Sequence, residues 1–123
     1  AAGMRVALFV DPDPEQLEAC AEVGAPAVEL HTGGYANTTD REGRAAELER
    51  LETGLGKARG LGLAVHAGHG LDYHNVQAVA ALHGVTELNI GHAIVARAVL
   101  SGLGPAVAEM KRLMREADAH HGG

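Results

Sequence analysis

Ala27-Val28-Glu29-Leu30-His31 is the stretch on which the reading of this chain turns. It is apolar enough for a buried strand, yet it holds a carboxylate and an imidazole two residues apart. Side chains alternate across a strand, so Glu29 and His31 share one face. An ionised glutamate is rarely buried without a partner. A strand carrying this pair therefore belongs at a polar-lined opening, such as the mouth of a barrel of parallel strands. The alternative is a strand that stops before Glu29 and leaves both residues in a solvated loop.

Outward from this run, one unit recurs four times. Arg5 to Val10 is a β-prone run. Asp13-Pro14 then supplies an N-cap and a first-turn proline for a helix to Val23, stopped by Gly24. Ala27 to His31 is the second strand, Thr32 to Asp40 a loop, and Arg41 to Gly60 a charged amphipathic helix. Leu63 to Ala67 is the third strand, with a helix from Asn75 to Leu82. Glu87 to Ile90 is the fourth, followed by a short helix from Ala93 and, after Gly104-Pro105, a last helix to Ala117. Strands alternating with helices predict an α/β fold with a parallel sheet and right-handed crossovers. Four consecutive βα units leave an open doubly wound sheet or half of a (β/α)8 barrel. Strands in both are apolar on both faces, so only the Glu29–His31 pair favours the barrel.

Two strand-to-helix junctions combine glycine with histidine: His66-Ala67-Gly68-His69-Gly70-Leu71 and Gly91-His92-Ala93-Ile94. Parallel α/β proteins build their sites at that junction. Glycine lets backbone N–H groups approach an anion, and a helix N-terminus adds partial positive charge. Histidine exchanges protons near neutral pH. Two such loops predict a phosphate-handling acid/base site.

The 123 residues suffice for one small domain, and with one Phe, two Tyr and no Trp its core must be aliphatic. A net charge of −6 argues against nucleic acid, which requires clustered cations. No apolar run reaches the roughly 20 residues of a membrane span, and no signal peptide is evident, so a cytoplasmic protein is expected. Cys20 is the only cysteine and falls in the apolar rhythm of the first helix, as a small core residue. His31 reads as a locally hydrogen-bonded core histidine rather than an orienting partner of Glu29. His66 lies on the strand before His69, and His74 sits near a helix start as a cap-region residue. Glu29, His69 and His92 could be imagined as a zinc triad, but the glycines would then have no role. Arg41, Glu42, Arg44, Glu47, Glu49, Arg50 and Glu52 read as a solvated helix face with i,i+3 and i,i+4 pairs.

Taken in order, Arg5-Val6-Ala7-Leu8-Phe9-Val10-Asp11, Ala21-Glu22-Val23-Gly24-Ala25-Pro26, Glu29-Leu30-His31-Thr32-Gly33 with Tyr35-Ala36, Ala67-Gly68-His69-Gly70-Leu71 with Tyr73-His74-Asn75, and Glu87-Leu88-Asn89-Ile90-Gly91-His92-Ala93-Ile94 carry a family resemblance. Over these stretches the chain resembles the C-terminal half of the pyridoxine 5′-phosphate synthases, (β/α)8 barrels of vitamin B6 biosynthesis. The resemblance implies residues 1–117 as the C-terminal half of the barrel; the Gly-ended polar stretch 118–123, with His120 and His121, reads from its composition as a disordered tail. It implies condensation of 1-deoxy-D-xylulose 5-phosphate with 3-amino-2-oxopropyl phosphate to give pyridoxine 5′-phosphate and phosphate. His69 would be the proton donor and Glu29 the carboxylate that stabilises the transition state. Gly70, Gly91 and His92 would bind the phosphate of 3-amino-2-oxopropyl phosphate. No metal and no organic cofactor are implied; the partners are small phosphorylated substrates, with neither nucleic acid nor membrane, and the complete barrel is expected to be a homo-oligomer. The family's first half, with its other substrate contacts and bases, has no counterpart in these 123 residues, so a fragment inactive by itself is expected. The competing reading is a non-catalytic module that binds a phosphorylated ligand through the two loops.

Overall fold

The computed structural model describes residues 2–121. Its elements are β1 (Ala7–Val10), α1 (Pro14–Glu22), β2 (Ala27–His31), α2 (Gly33–Asn37), α3 (Arg41–Gly60), β3 (Ala64–Gly68), α4 (Val76–Ala80), β4 (Val85–Asn89), α5 (His92–Ser101) and α6 (Leu103–His121). Local chemistry sets the helix ends. The Asp13 carboxylate accepts from the Glu15 N–H at 2.9 Å, Pro14 opens α1, and Gly24 follows it at φ +79°. Asp40 caps α3 by accepting from the Gly43 N–H at 2.7 Å. Both caps satisfy donors that the first helical turn leaves unpaired.

The four strands are parallel and lie in the order β1-β2-β3-β4. A doubly wound sheet reverses its strand order at a switch point; this one does not. Alternation along the strands splits the sheet into two unlike faces. Val28 and Leu30 of β2, with Val65 and Ala67 of β3, are buried together with Leu17, Leu51, Leu55 and Val79 from the helices. Each Val or Leu among them contributes about 1.5–3 kcal/mol relative to exposure. The opposite face carries Phe9, Glu29, His66 and Glu87, matched across the strands by register, and none of them is buried. Consecutive parallel strands with an aliphatic helix-covered face and a mixed polar face are half of a (β/α)8 barrel, as the Glu29–His31 pair indicated.

Four local expectations need correction. The loop from Thr32 to Asp40 contains α2. Its hold is tertiary: Tyr35 is buried and its hydroxyl donates to the Asn75 carbonyl at 2.7 Å. Burial pushes the Tyr35 phenol above its ordinary range, with Asp72 adding to the rise and Arg44 opposing it. Arg44, expected on a solvated face, donates twice to the Thr38 carbonyl and lies 5.7 Å from the Tyr35 ring centre; of the foreseen pairs, Glu47–Arg50 forms at 3.6 Å. Gly104-Pro105 does not precede α6 but lies in its first turn, where a missing N–H costs nothing. The same helix continues through His121, past the end expected at Ala117, while Gly122 and Gly123 of the expected tail lie outside the described residues. Cys20 is buried, as expected of a core residue. No described helix is long and apolar enough to cross a membrane.

Candidate active site

His69 stands directly after β3 with φ +92°, the only described non-glycine residue at positive φ. For a side chain with a Cβ, such a backbone costs about 1–3 kcal/mol and persists only where the surroundings impose it. Here the imposition is explicit. The Thr32 N–H donates to the Gly68 carbonyl at 2.9 Å, the Thr32 hydroxyl donates to the His69 carbonyl at 2.7 Å, and the Asn75 side-chain amide donates to the Gly70 carbonyl at 3.1 Å. Three successive carbonyls are thus tied by the segments on either side. Thr32 is fully buried, and Asn75 is itself anchored by the Asp72 N–H and carboxylate.

Glycines around the site have different duties. Gly70 has φ +77°, and a Cβ there would sit 2.7 Å from the Ala36 Cβ. Gly68 makes room for the Glu29 carboxylate, whose Oε1 occupies the place a Cβ would need. Gly91 has φ −113° and open space around its Cβ position, so neither conformation nor packing within the chain requires glycine. Gly70→Ala should therefore lower stability by roughly 1–3 kcal/mol through left-handed strain and overpacking, whereas Gly91→Ala should be near neutral. Thermal unfolding of both variants checks this; equal midpoints would contradict the distinction.

Gly91 is the N-cap of α5 and has no side-chain cap. The first intrahelical bond of α5 runs from the Val95 N–H to the Gly91 carbonyl, at 2.9 Å. The N–H groups of the preceding turn have no partner within the helix and are available to an anion.

Glu29, His69, Gly70, Gly91 and His92 all line one cavity of about 640 Å³ at the C-terminal end of the strands. The structure thus brings together every site residue singled out from the sequence. Phe9, Asp72 and Asn89 also line it. They were missed, although Phe9 pairs with Glu29 and Asn89 with Gly68 across the register. Alternation from Glu29 would have found Phe9 and Asn89 once strand order was known, whereas Asp72 lies in the loop after β3, beyond any strand register. Three rings meet beside the cavity: His31 lies 4.8 Å from Phe9, stacked at 26°, and 4.7 Å from His69 at 57°. His31 Nδ1 accepts from the Gly33 N–H at 2.8 Å, so this histidine is locally satisfied as expected. His66 Nδ1 is 3.8 Å from Glu87, and the exposed His74 donates its N–H to Asp72. Among the described residues, no three His, Cys, Asp or Glu side chains are placed to share a metal ion.

The arrangement offers an imidazole, a carboxylate and free backbone donors around one space, which suits proton transfer on an anionic substrate. Comparison with known proteins gives the same direction. The sequence profile of the family described as "Pyridoxal phosphate biosynthesis protein PdxJ" matches residues 1–116. The chain is 60% identical over 116 residues to a protein of Magnetococcus marinus named pyridoxine 5′-phosphate synthase. That alignment covers 94% of this chain and 48% of the relative, so the chain spans about half the relative's length. A half-barrel whose two glycine–histidine loops close on one cavity, matched to this profile over nearly all its length, belongs to the PdxJ family of pyridoxal phosphate biosynthesis proteins.

Proposed function

We propose that this chain is the C-terminal half-site of a pyridoxine 5′-phosphate synthase, a soluble cytoplasmic enzyme that is a homo-oligomer as the complete barrel. The observation that carries this reading is the sharing of one cavity by His69, Glu29 and the start of α5. The phosphoryl group of 3-amino-2-oxopropyl phosphate sits at Gly91 and His92, held by the N–H groups of the first turn of α5, with Gly70 shaping the facing loop. Its amino-ketone end then reaches toward His69 and Glu29. Condensation with 1-deoxy-D-xylulose 5-phosphate requires imine formation with loss of water, further dehydration and release of phosphate. His69 donates a proton to a departing oxygen, and the Glu29 carboxylate stabilises the positive charge that develops nearby. Neither a metal nor an organic cofactor is needed for these steps.

Ligand titration in the complete protein tests the phosphate cradle. Gly91→Val should weaken binding of 3-amino-2-oxopropyl phosphate about tenfold or more, because a branched side chain at the cap blocks close approach to the backbone. The fold tolerates a side chain there, so the thermal midpoint should stay near the parent's. Parental affinity in Gly91→Val would remove the cradle and favour a different role for α5. A module that only binds a phosphorylated ligand would show the affinity loss but form no pyridoxine 5′-phosphate from the two substrates.

A further inference from the structure

We propose that His31 is a positioning residue for His69, holding its ring in the one orientation that delivers a proton to substrate; this rests on the reading of His69 as the proton donor. The tripeptide His31-Thr32-Gly33 at the end of β2 meets His69 in three ways. Thr32 holds the backbone through the His69 carbonyl. His31 supplies a ring wall 4.7 Å away, itself stacked on Phe9. Gly33 lets the two imidazoles close: a Cβ there would collide with His31 Cε1 and lie 2.8 Å from His31 Nδ1 and 3.1 Å from His69 Cδ2.

His31 is in turn fixed by its own backbone. Its Nδ1 accepts from the Gly33 N–H, so that nitrogen carries no proton while the bond stands, and the neutral ring bears its proton on Nε2. Ring plane and tautomer are both set before substrate arrives. The need for such a device follows from exposure. His69 is an exposed side chain on a loop, where an unsupported imidazole exchanges rotamers on a picosecond-to-nanosecond scale. Phe9 and His31 restrict that freedom from the inner face of the sheet. A displacement of about 1 Å at a reacting group can cost on the order of 100-fold in rate.

The test uses steady-state formation of pyridoxine 5′-phosphate by the complete protein. Two variants divide the functions of His31: His31→Asn keeps an acceptor for the Gly33 N–H but removes the ring, and His31→Phe keeps a ring but removes the acceptor. His31→Asn should lower kcat about 10–100-fold, with KM for 3-amino-2-oxopropyl phosphate moving no more than about threefold, since the phosphate cradle lies on the other loop. His31→Phe should keep several-fold more turnover than His31→Asn. The decisive arm is the double variant His31→Asn/His69→Gln. If His31 works through His69, the double variant turns over no more slowly than His69→Gln alone. Additive losses in that cycle, or parental kcat in His31→Asn while His69→Gln is impaired, would overturn the inference and leave the role of His69 standing. Parental kcat in His69→Gln would instead remove the reading on which the inference rests, and the inference with it.

Discussion

A polypeptide consisting of these 123 residues alone is expected to form no detectable pyridoxine 5′-phosphate from the two substrates, whereas the complete protein turns over. The chain spans 48% of its relative, and among the described residues no further strand encloses the face that carries Phe9, Glu29, His66 and Glu87. One phosphate cradle and one proton donor hold one substrate. The second substrate must be brought to the same point and aligned, and such orientation supplies roughly 7–11 kcal/mol of barrier lowering. Losing it would reduce the rate by about five to eight orders of magnitude. Product analysis after prolonged incubation is the check. Sustained turnover by the 123-residue polypeptide would show that the half-site is catalytically complete, against the account.

His69→Gln in the complete protein should lower kcat by about 10²–10⁴-fold, the usual contribution of a positioned general acid. Glutamine retains similar bulk and a hydrogen-bonding end but cannot cycle a proton at neutral pH. Affinity for 3-amino-2-oxopropyl phosphate should change little, because a proton donor acts in the transition state while the phosphoryl group is held at α5. Comparing kcat with the dissociation constant separates the two contributions. A variant with full turnover would take His69 out of the mechanism, and one that lost affinity and kept kcat would make His69 a binding residue.

Much of this arrangement is legible in the sequence because its signals are local. Ala27–His31 and Arg41–Gly60 are found where the sequence pattern places them. The glycine–histidine junctions mark strand ends by the chemistry of the turn, and both fall at the cavity. What escaped is set by contacts outside the local repeat of helix and strand, most of them distant in sequence. α2 is anchored through Tyr35 to Asn75, forty residues away, and has no periodicity of its own to announce it. Arg44 looks like one more charge on a polar helix until Thr38 and Tyr35 are brought beneath it. The positive φ of His69 could not be foreseen, since histidine gives no sign of it and the cause lies in Thr32. Likewise, His31 reads from the sequence as a locally hydrogen-bonded core histidine. Its own hydrogen bond is indeed local, but its contact with His69 exists only because β2 and β3 are neighbours in register.

The proposed function requires one substrate to span the cavity from α5 to His69. A crystal structure of the complete protein with 3-amino-2-oxopropyl phosphate bound tests it most directly. Phosphate oxygens are expected about 3 Å from the backbone nitrogens at Gly91 and His92, with the amino-ketone end within reach of the His69 imidazole. A phosphoryl group seated elsewhere, with the first turn of α5 free and His69 remote from the ligand, would contradict it.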